Sequence, residues 1–334
     1  MEHGTAPIFS TRLTRLLGIE HPILCGGLMW LADARYVAAC VNAGAMGFIT
    51  ARTFPDPGAF RAELQKCREL TGGKRFGVNL YFTPRPADNA FLAGHVKILL
   101  EEGVRILETA ALPPTDLLPM LREAGATVIH KCASVRHAQS AARLGIDAIA
   151  LVGAECGGHP GLQLVGTMVQ TPLAANALLL PFSVGGGIGH GSQIAAALVM
   201  GADAVTIGTR MLVAEEINTH PAIKQRMIEA DEGSTRLVMS TFRNTYRVLD
   251  NADARAVAAL EAKGVKDYEA YRDRSAGTRQ KQAYETGDWE KGLLSLGQSV
   301  AFARQVEPAA EIISRLVAEA RAAYDRLAGA NPAG

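Results

Sequence analysis

Residues 147–161 read Asp147-Ala-Ile-Ala-Leu-Val-Gly-Ala-Glu-Cys-Gly-Gly-His-Pro-Gly161. An apolar run of strand length, Ala148 to Val152, breaks there into a glycine-rich loop that carries Glu155, Cys156 and His159. Small and branched apolar residues bounded by glycine predict a fully buried strand. The loop after it is too rich in glycine to pack a core of its own. Such a loop lets backbone approach a ligand closely, with one imidazole held over it. In α/β proteins chemistry sits just past the C-terminal ends of buried parallel strands, which makes His159 the candidate catalytic residue. A plainer alternative, a loop histidine capping a neighbouring helix, stays open from this loop alone.

The same unit recurs along the chain. Helix-like segments end in glycine and a short buried strand follows: Gly44 leads into Met46 to Thr50, Gly103 into Arg105 to Thr109, Gly125 into Thr127 to Cys132, Gly145 into Ala148 to Val152, and Gly201 into Ala204 to Gly208. Glycine just past a helix takes the left-handed conformation without a Cβ clash and turns the chain. Pro22 to Cys25, Phe76 to Leu80 and Pro181 to Val184 complete the strands, with helices such as Arg35 to Asn42 and Ser134 to Arg143 between them. Strict β-then-α alternation makes a parallel sheet with right-handed crossovers. That number of units predicts an α/β fold of the closed (β/α)8, TIM-like barrel type, and no G-x-G-x-x-G supports an open dinucleotide sheet.

The rhythm stops after Gly208-Thr209-Arg210. From about Thr219 to Lys291 the chain is polar, mostly helical and without a buried strand in this reading. The expected division is a barrel over 8–218 and 292–329, with a small helical domain over 219–291 inserted near the C-terminus. That insert is either a solvated appendage or a lid over the barrel mouth. A last helix near Glu307 to Ala328 puts Ile312, Leu316, Ala320, Ala323 and Leu327 on one stripe, which would complete the outer ring or form a homodimer face.

Composition excludes several classes. A net charge of +1 over 334 residues gives no electrostatic case for nucleic acid or an anionic membrane. The five cysteines, Cys25, Cys40, Cys67, Cys132 and Cys156, are scattered and contain no C-x-x-C pair, so neither a disulfide framework nor a structural zinc is expected. His130 and Cys132 alternate on one strand without a second pair, a poor metal site. No apolar run reaches membrane-spanning length, and the N-terminus lacks a secretion signal, so a soluble cytoplasmic protein is expected.

Phosphate in a barrel usually sits after the seventh and eighth strands, here Gly185-Gly186-Gly187-Ile188-Gly189-His190-Gly191 and Gly208-Thr209-Arg210. Glycine-rich loops that open helices supply free N–H groups and a positive dipole end, which suits a bound mononucleotide cofactor. Asn79 and Lys131 add an amide and a charge at other strand ends on the same rim. Trp30, beyond Gly26-Gly27, reads as a wall rather than a reactant. No G-x-S-x-G, H-E-x-x-H or P-loop pattern competes.

Taken together these segments resemble the FMN-dependent nitronate monooxygenase family, formerly 2-nitropropane dioxygenases, close to its NADH:quinone reductase branch. The matching segments are Gly26-Gly27, Gly77-Val78-Asn79-Leu80, His130-Lys131-Cys132, Glu155-Cys156 with Gly158-His159-Pro160-Gly161, Gly186-Gly187, Gly201-Ala202-Asp203-Ala204, Gly208-Thr209-Arg210 and Arg243-Asn244-Thr245. The resemblance implies FMN, with its phosphate on Gly186, Gly187, Gly208 and Thr209. It places Gly26, Gly27, Asn79, Lys131, Gly158 and Gln298 among the other cofactor contacts, and His159 over the flavin. Cys25, Met29, Trp30 and Pro84 would line the substrate pocket. Cys25 and Leu28-Met29 stand where the family carries more polar residues, which makes the expected pocket more apolar.

The activity first expected is oxidation of an alkyl nitronate with O2, His159 orienting the nitro group or acting as base. The alternative is reduction of a quinone or enoyl thioester, with NAD(P)H as co-substrate and Pro84-Arg85-Pro86 near the dinucleotide. A phosphate-binding barrel without turnover is the third.

Overall fold

The computed structural model describes residues 9–83 and 86–329. The parallel strands β1 (Ile23–Cys25), β2 (Met46–Thr50), β3 (Gly77–Phe82), β4 (Ile106–Ala111), β5 (Thr127–Cys132), β6 (Ala148–Val152), β7 (Phe182–Gly185) and β8 (Ala204–Ile207) form one closed ring. β1 closes it by pairing with both β2 and β8, with Leu24 opposite Met46 and Thr206. Helices follow the strands around the outside, as the alternation requires. The glycines expected to end helices, Gly44, Gly103, Gly125, Gly145 and Gly201, all have φ between 65° and 100°. β3 and β4 run on past their expected ends, because Tyr81 and Phe82 pair with Ala110 and Ala111.

Strand alternation divides the core into two shells. Leu24, Met46, Phe48, Ile106, Ile129, Ala148, Ala150 and Ala204 face into the ring. The N-terminal helix Arg12–Leu17 contributes Leu13 and Leu17 to the same cluster and so closes the lower end of the barrel. Alternate apolar strand residues, among them Cys25, Ile49, Val78, Leu107 and Val205, pack against the helices.

The last helix, Ala309–Gly329, completes the outer ring. Ile312, Leu316 and Ala320 of the expected stripe are buried, while Leu327 is exposed. Contact with the helix Gly191–Val199 is so close that a Cβ on Gly191 would collide with the Leu316 carbonyl and the Ala320 amide.

The stretch 219–291 contains a feature that sequence reading missed. Besides the helices Pro221–Ile228, Ala252–Ala262, Glu269–Ser275 and Gly277–Thr286 it holds an antiparallel pair, β9 (Thr235–Val238) and β10 (Tyr246–Leu249), which corrects the strandless reading. Each strand has four residues and carries an arginine, Arg236 or Arg247, so no long apolar alternation announces it. Val238, Val248 and Leu249 are nevertheless fully buried.

Arg210, placed by sequence in the phosphate loop, faces the other way. Its guanidinium lies 2.7 Å from Glu307 Oε1, with Arg210 and Glu307 almost fully buried, and Arg315 also pairs with Glu307. Burial and the neighbouring Arg315 lower the Arg210 pKa to about 10. This network ties the turn after β8 to the C-terminal helix. Glu307→Ala would strand a buried guanidinium, and urea titration should show a loss of about 3–5 kcal/mol in unfolding free energy.

Candidate active site

Above the hydrocarbon layers, the inward positions nearest the C-terminal mouth of the ring are polar. Glu108 of β4 is completely buried there, although neighbours Ile106 and Leu107 are apolar. Its Oε1 lies 2.9 Å from Lys131 Nζ. Its Oε2 accepts hydrogen bonds from Asn79 Nδ2 at 2.6 Å and from the Gly27 amide at 3.3 Å. Register explains the cluster, since Asn79 pairs with Glu108 and Lys131 follows one pleat above. Gly27 has to be glycine, because a Cβ there would sit 2.5 Å from Asn79 Cβ.

Over this floor opens a cavity of about 1270 Å³. Gly26, Gly27, Asn79, Lys131, Gly158, His159, Gly186, Gly187, Gly208 and Thr209 all border it, drawn together from six strand ends. Met29 and Trp30 are wall residues, and Trp30 holds a left-handed backbone (φ 69°), a strained state for a bulky side chain. The turn Thr209–Val213 starts at the cavity edge with no side-chain cap at Gly208, leaving its leading N–H groups without an internal partner. A Cβ on Gly208 would meet only Leu28, at 3.6 Å, and one on Gly158 would meet nothing within 4 Å. These bare backbone edges suit a phosphate-bearing group.

One expectation needs correction. Cys25 does not line the cavity: it is fully buried in the outer shell, because Leu24 takes the inward position and alternation turns Cys25 toward Tyr36 and Cys40. Gln298 borders a separate, smaller cavity of about 430 Å³ that shares Gly186 and Gly187 with the main one. Thr209 is in place, but its Oγ1 already accepts from the Gly297 amide at 2.9 Å. Pro84 lies outside the described residues, as does Arg85.

His159 is held by the hairpin. Gly158 and Arg247 exchange backbone hydrogen bonds of 3.1 and 2.7 Å, which docks the signature loop on β10. His159 Nδ1 lies 3.1 Å from the Thr245 carbonyl, and the ring stacks on Tyr246 with centroids 4.6 Å apart. A carbonyl only accepts, so Nδ1 carries the proton and Nε2 keeps its lone pair in the neutral ring. The ring is open to the cavity yet surrounded by protein, and this desolvation holds its pKa below the ordinary histidine value. The other polar loop residues serve structure: Glu155 accepts from Thr167 N and Oγ1 and so caps the helix Thr167–Ala177, whose own cap residue is Gly166. Burial pushes the Cys156 thiol up to about 12.

His130 points away from the floor, 2.8 Å from Thr109 Oγ1, with its pKa lowered to about 4 by burial. Among the described residues no cluster of His, Cys, Asp or Glu is placed to hold a metal ion, and no helix is long and apolar enough to cross a membrane. Asn244 and three residues that sequence reading passed over, Tyr246, Gln280 and Tyr284, also form the wall and come from the stretch 219–291. Glu108 carried one available signal, a lone carboxylate inside a buried strand run.

The nitronate monooxygenase family pattern matches residues 10–319. The chain belongs to that family. Members of the family are flavin-dependent oxidoreductases, and this chain is an oxidoreductase of the same kind. Among its relatives, (3aS,4S,5R,7aS)-5-hydroxy-7a-methyl-1-oxo-octahydro-1H-indene-4-carboxyl-CoA dehydrogenase of Mycobacterium tuberculosis is 36% identical over 72% of this chain and 66% of that protein, so the match spans just under two thirds of the relative. A probable nitronate monooxygenase of Staphylococcus aureus is 28% identical over 92% of this chain and 96% of its own length. The solved structure of FabK from Thermotoga maritima superposes with a TM-score of 0.87 at 32% identity, covering 96% of this chain and 99% of FabK.

For this nitronate monooxygenase family member, Gly27→Ala should push Asn79 off Glu108 while leaving the barrel folded. Circular dichroism should be unchanged and the flavin retained through purification should fall. Full flavin retention would show that the floor tolerates the added methyl.

Proposed function

We propose that the chain is an FMN-dependent oxidoreductase that uses a reduced nicotinamide nucleotide to reduce an apolar acceptor of the enoyl-thioester or quinone kind. The size of the cavity carries this reading. At about 1270 Å³ it exceeds the roughly 300–1,000 Å³ of an ordinary ligand pocket. Leu28, Met29, Phe91, Leu112, Leu212 and Leu293 give it apolar walls. A flavin and a nitronate of a few heavy atoms would leave much of that space unfilled, whereas a flavin beside a long apolar acceptor would use it. The similarity to a protein named for a carboxyl-CoA substrate and to FabK fits the same choice.

The residues at the site fit FMN. Gly186, Gly187, Gly208 and Thr209 would hold the phosphate through backbone amides, and Gly26, Gly27, Asn79 and Lys131 would hold the ring end. Bound there, the flavin would supply the hydride transfer, and the protein supplies position and charge. Asn79 spends its amide N–H on Glu108, so its carbonyl oxygen is left to accept. Tyr246, with its hydroxyl 2.6 Å from Ser295 Oγ, backs the His159 ring and fixes its plane.

Nitronate oxidation with O2 is the second reading, and the state of His159 favours it. Its unprotonated Nε2, kept neutral by desolvation, would accept the α-proton of a nitroalkane. In anaerobic stopped-flow mixing of FMN-reconstituted protein, NADH or NADPH should bleach the flavin rapidly and an alkyl nitronate should not. The reverse result would overturn the reductase assignment in favour of the second reading. A step that needs neutral His159 should keep its rate as pH falls through about 6.5, the ordinary histidine value, and decline only below it. His159→Ala should remove that acid limb and leave flavin content unchanged.

A further inference from the structure

Glu108 borders no open space itself, yet its partners Lys131, Asn79 and Gly27 all line the cavity. It therefore faces the site only through them. A buried carboxylate is held in place when it is paired, and here Oε1 lies within ion-pair distance of the ammonium, without a hydrogen bond of its own, while Oε2 takes two N–H groups. Each contact also constrains the partner. Asn79 cannot turn its amide over without losing its 2.6 Å hydrogen bond, and Lys131 is tethered at 2.9 Å instead of swinging into the cavity. Gly26 seals the arrangement from above, since a Cβ there would lie 3.5 Å from Lys131 Nζ and 3.7 Å from Glu108 Oε1.

We infer that Glu108 is a positioning residue that orients Asn79 and Lys131 toward the flavin ring and balances the charge of the lysine, so that the ring rests on a nearly neutral floor. This inference rests on the FMN reading given above. Reduction adds negative charge to the ring, so the net charge of the floor acts on the reduction potential with a definite sign. Glu108→Gln keeps the side-chain size and leaves Lys131 unbalanced, which favours the reduced flavin and raises the midpoint potential. Lys131→Met leaves Glu108 unbalanced and lowers it. The double variant removes both charges and returns the potential toward that of the unaltered protein. Loosening Asn79 and Lys131 should also weaken FMN binding in Glu108→Gln by about tenfold or more, by analogy with the partners that orient metal ligands.

The experiment is anaerobic dye-equilibrium potentiometry on the FMN-reconstituted full chain and these variants, with fluorescence titration for the FMN dissociation constant and circular dichroism as a check on folding. Opposite shifts in the two single variants that largely cancel in the double are expected, and a purely structural role would not produce them. Shifts of the same sign, or an unchanged potential and FMN affinity in Glu108→Gln, would overturn the inference. Should Lys131→Met fail to fold, Glu108→Gln and the double variant still decide: the first must lie above the second. Unaltered protein that takes up no FMN would refute the cofactor reading instead, a result distinct from normal uptake with an inert Glu108.

Discussion

Closing eight parallel strands into a ring fixes the space inside it, and every second side chain of each strand must fill that space. Below the mouth the filling is hydrocarbon, from Leu24, Met46 and Phe48 to Ile106 and Ile129, sealed underneath by Leu13 and Leu17. One pleat higher it becomes ionic: Glu108, Asn79 and Lys131 replace the aliphatic layer. That abrupt change gives the mouth its chemistry. A carboxylate under the floor requires donors around it, and those donors are the groups left facing the cavity.

The loops above follow from the same geometry. Strand ends that converge on a narrow mouth leave little room for side chains, so the approach of Gly27 to Asn79 and of Gly185 to Thr206 is at backbone distance. The uncapped N–H groups at the turn after Gly208 are what a phosphate-bearing cofactor would need. The stretch 219–291 then supplies what the barrel lacks. Its hairpin reaches the loop after β6 through Gly158 and Arg247, and Thr245 fixes the tautomer of a histidine 86 residues away in sequence. The candidate base therefore owes its position to the loop and its protonation state to the hairpin.

Much of this was readable without coordinates. The glycine-terminated helices and short apolar runs located every barrel strand, and β2, β5 and β6 have the bounds that sequence predicts. The loops around His159, Gly186-Gly187 and Gly208-Thr209 were recognisable because glycine density is a local property and strand ends are where barrels keep their sites. Cys25 was misplaced for a physical reason. Whether a residue faces the cavity or the helices depends on parity within the strand or turn, and parity is set by register with neighbours far away in sequence. The hairpin escaped because four-residue strands with an arginine apiece carry almost no periodic signal.

What the sequence determined by itself was the alternation, hence the closed barrel, and the glycine-rich strand ends, hence where the cavity at its mouth lies. These depend on backbone preferences of neighbouring residues, which a linear pattern records. Only the tertiary structure decided that Glu108 lies beneath Lys131 and Asn79, that Thr245 orients His159, and that the cavity is large and apolar. Each is a meeting of residues from different strands or from the inserted stretch. Such meetings arise from ring closure and packing, which no local spacing encodes.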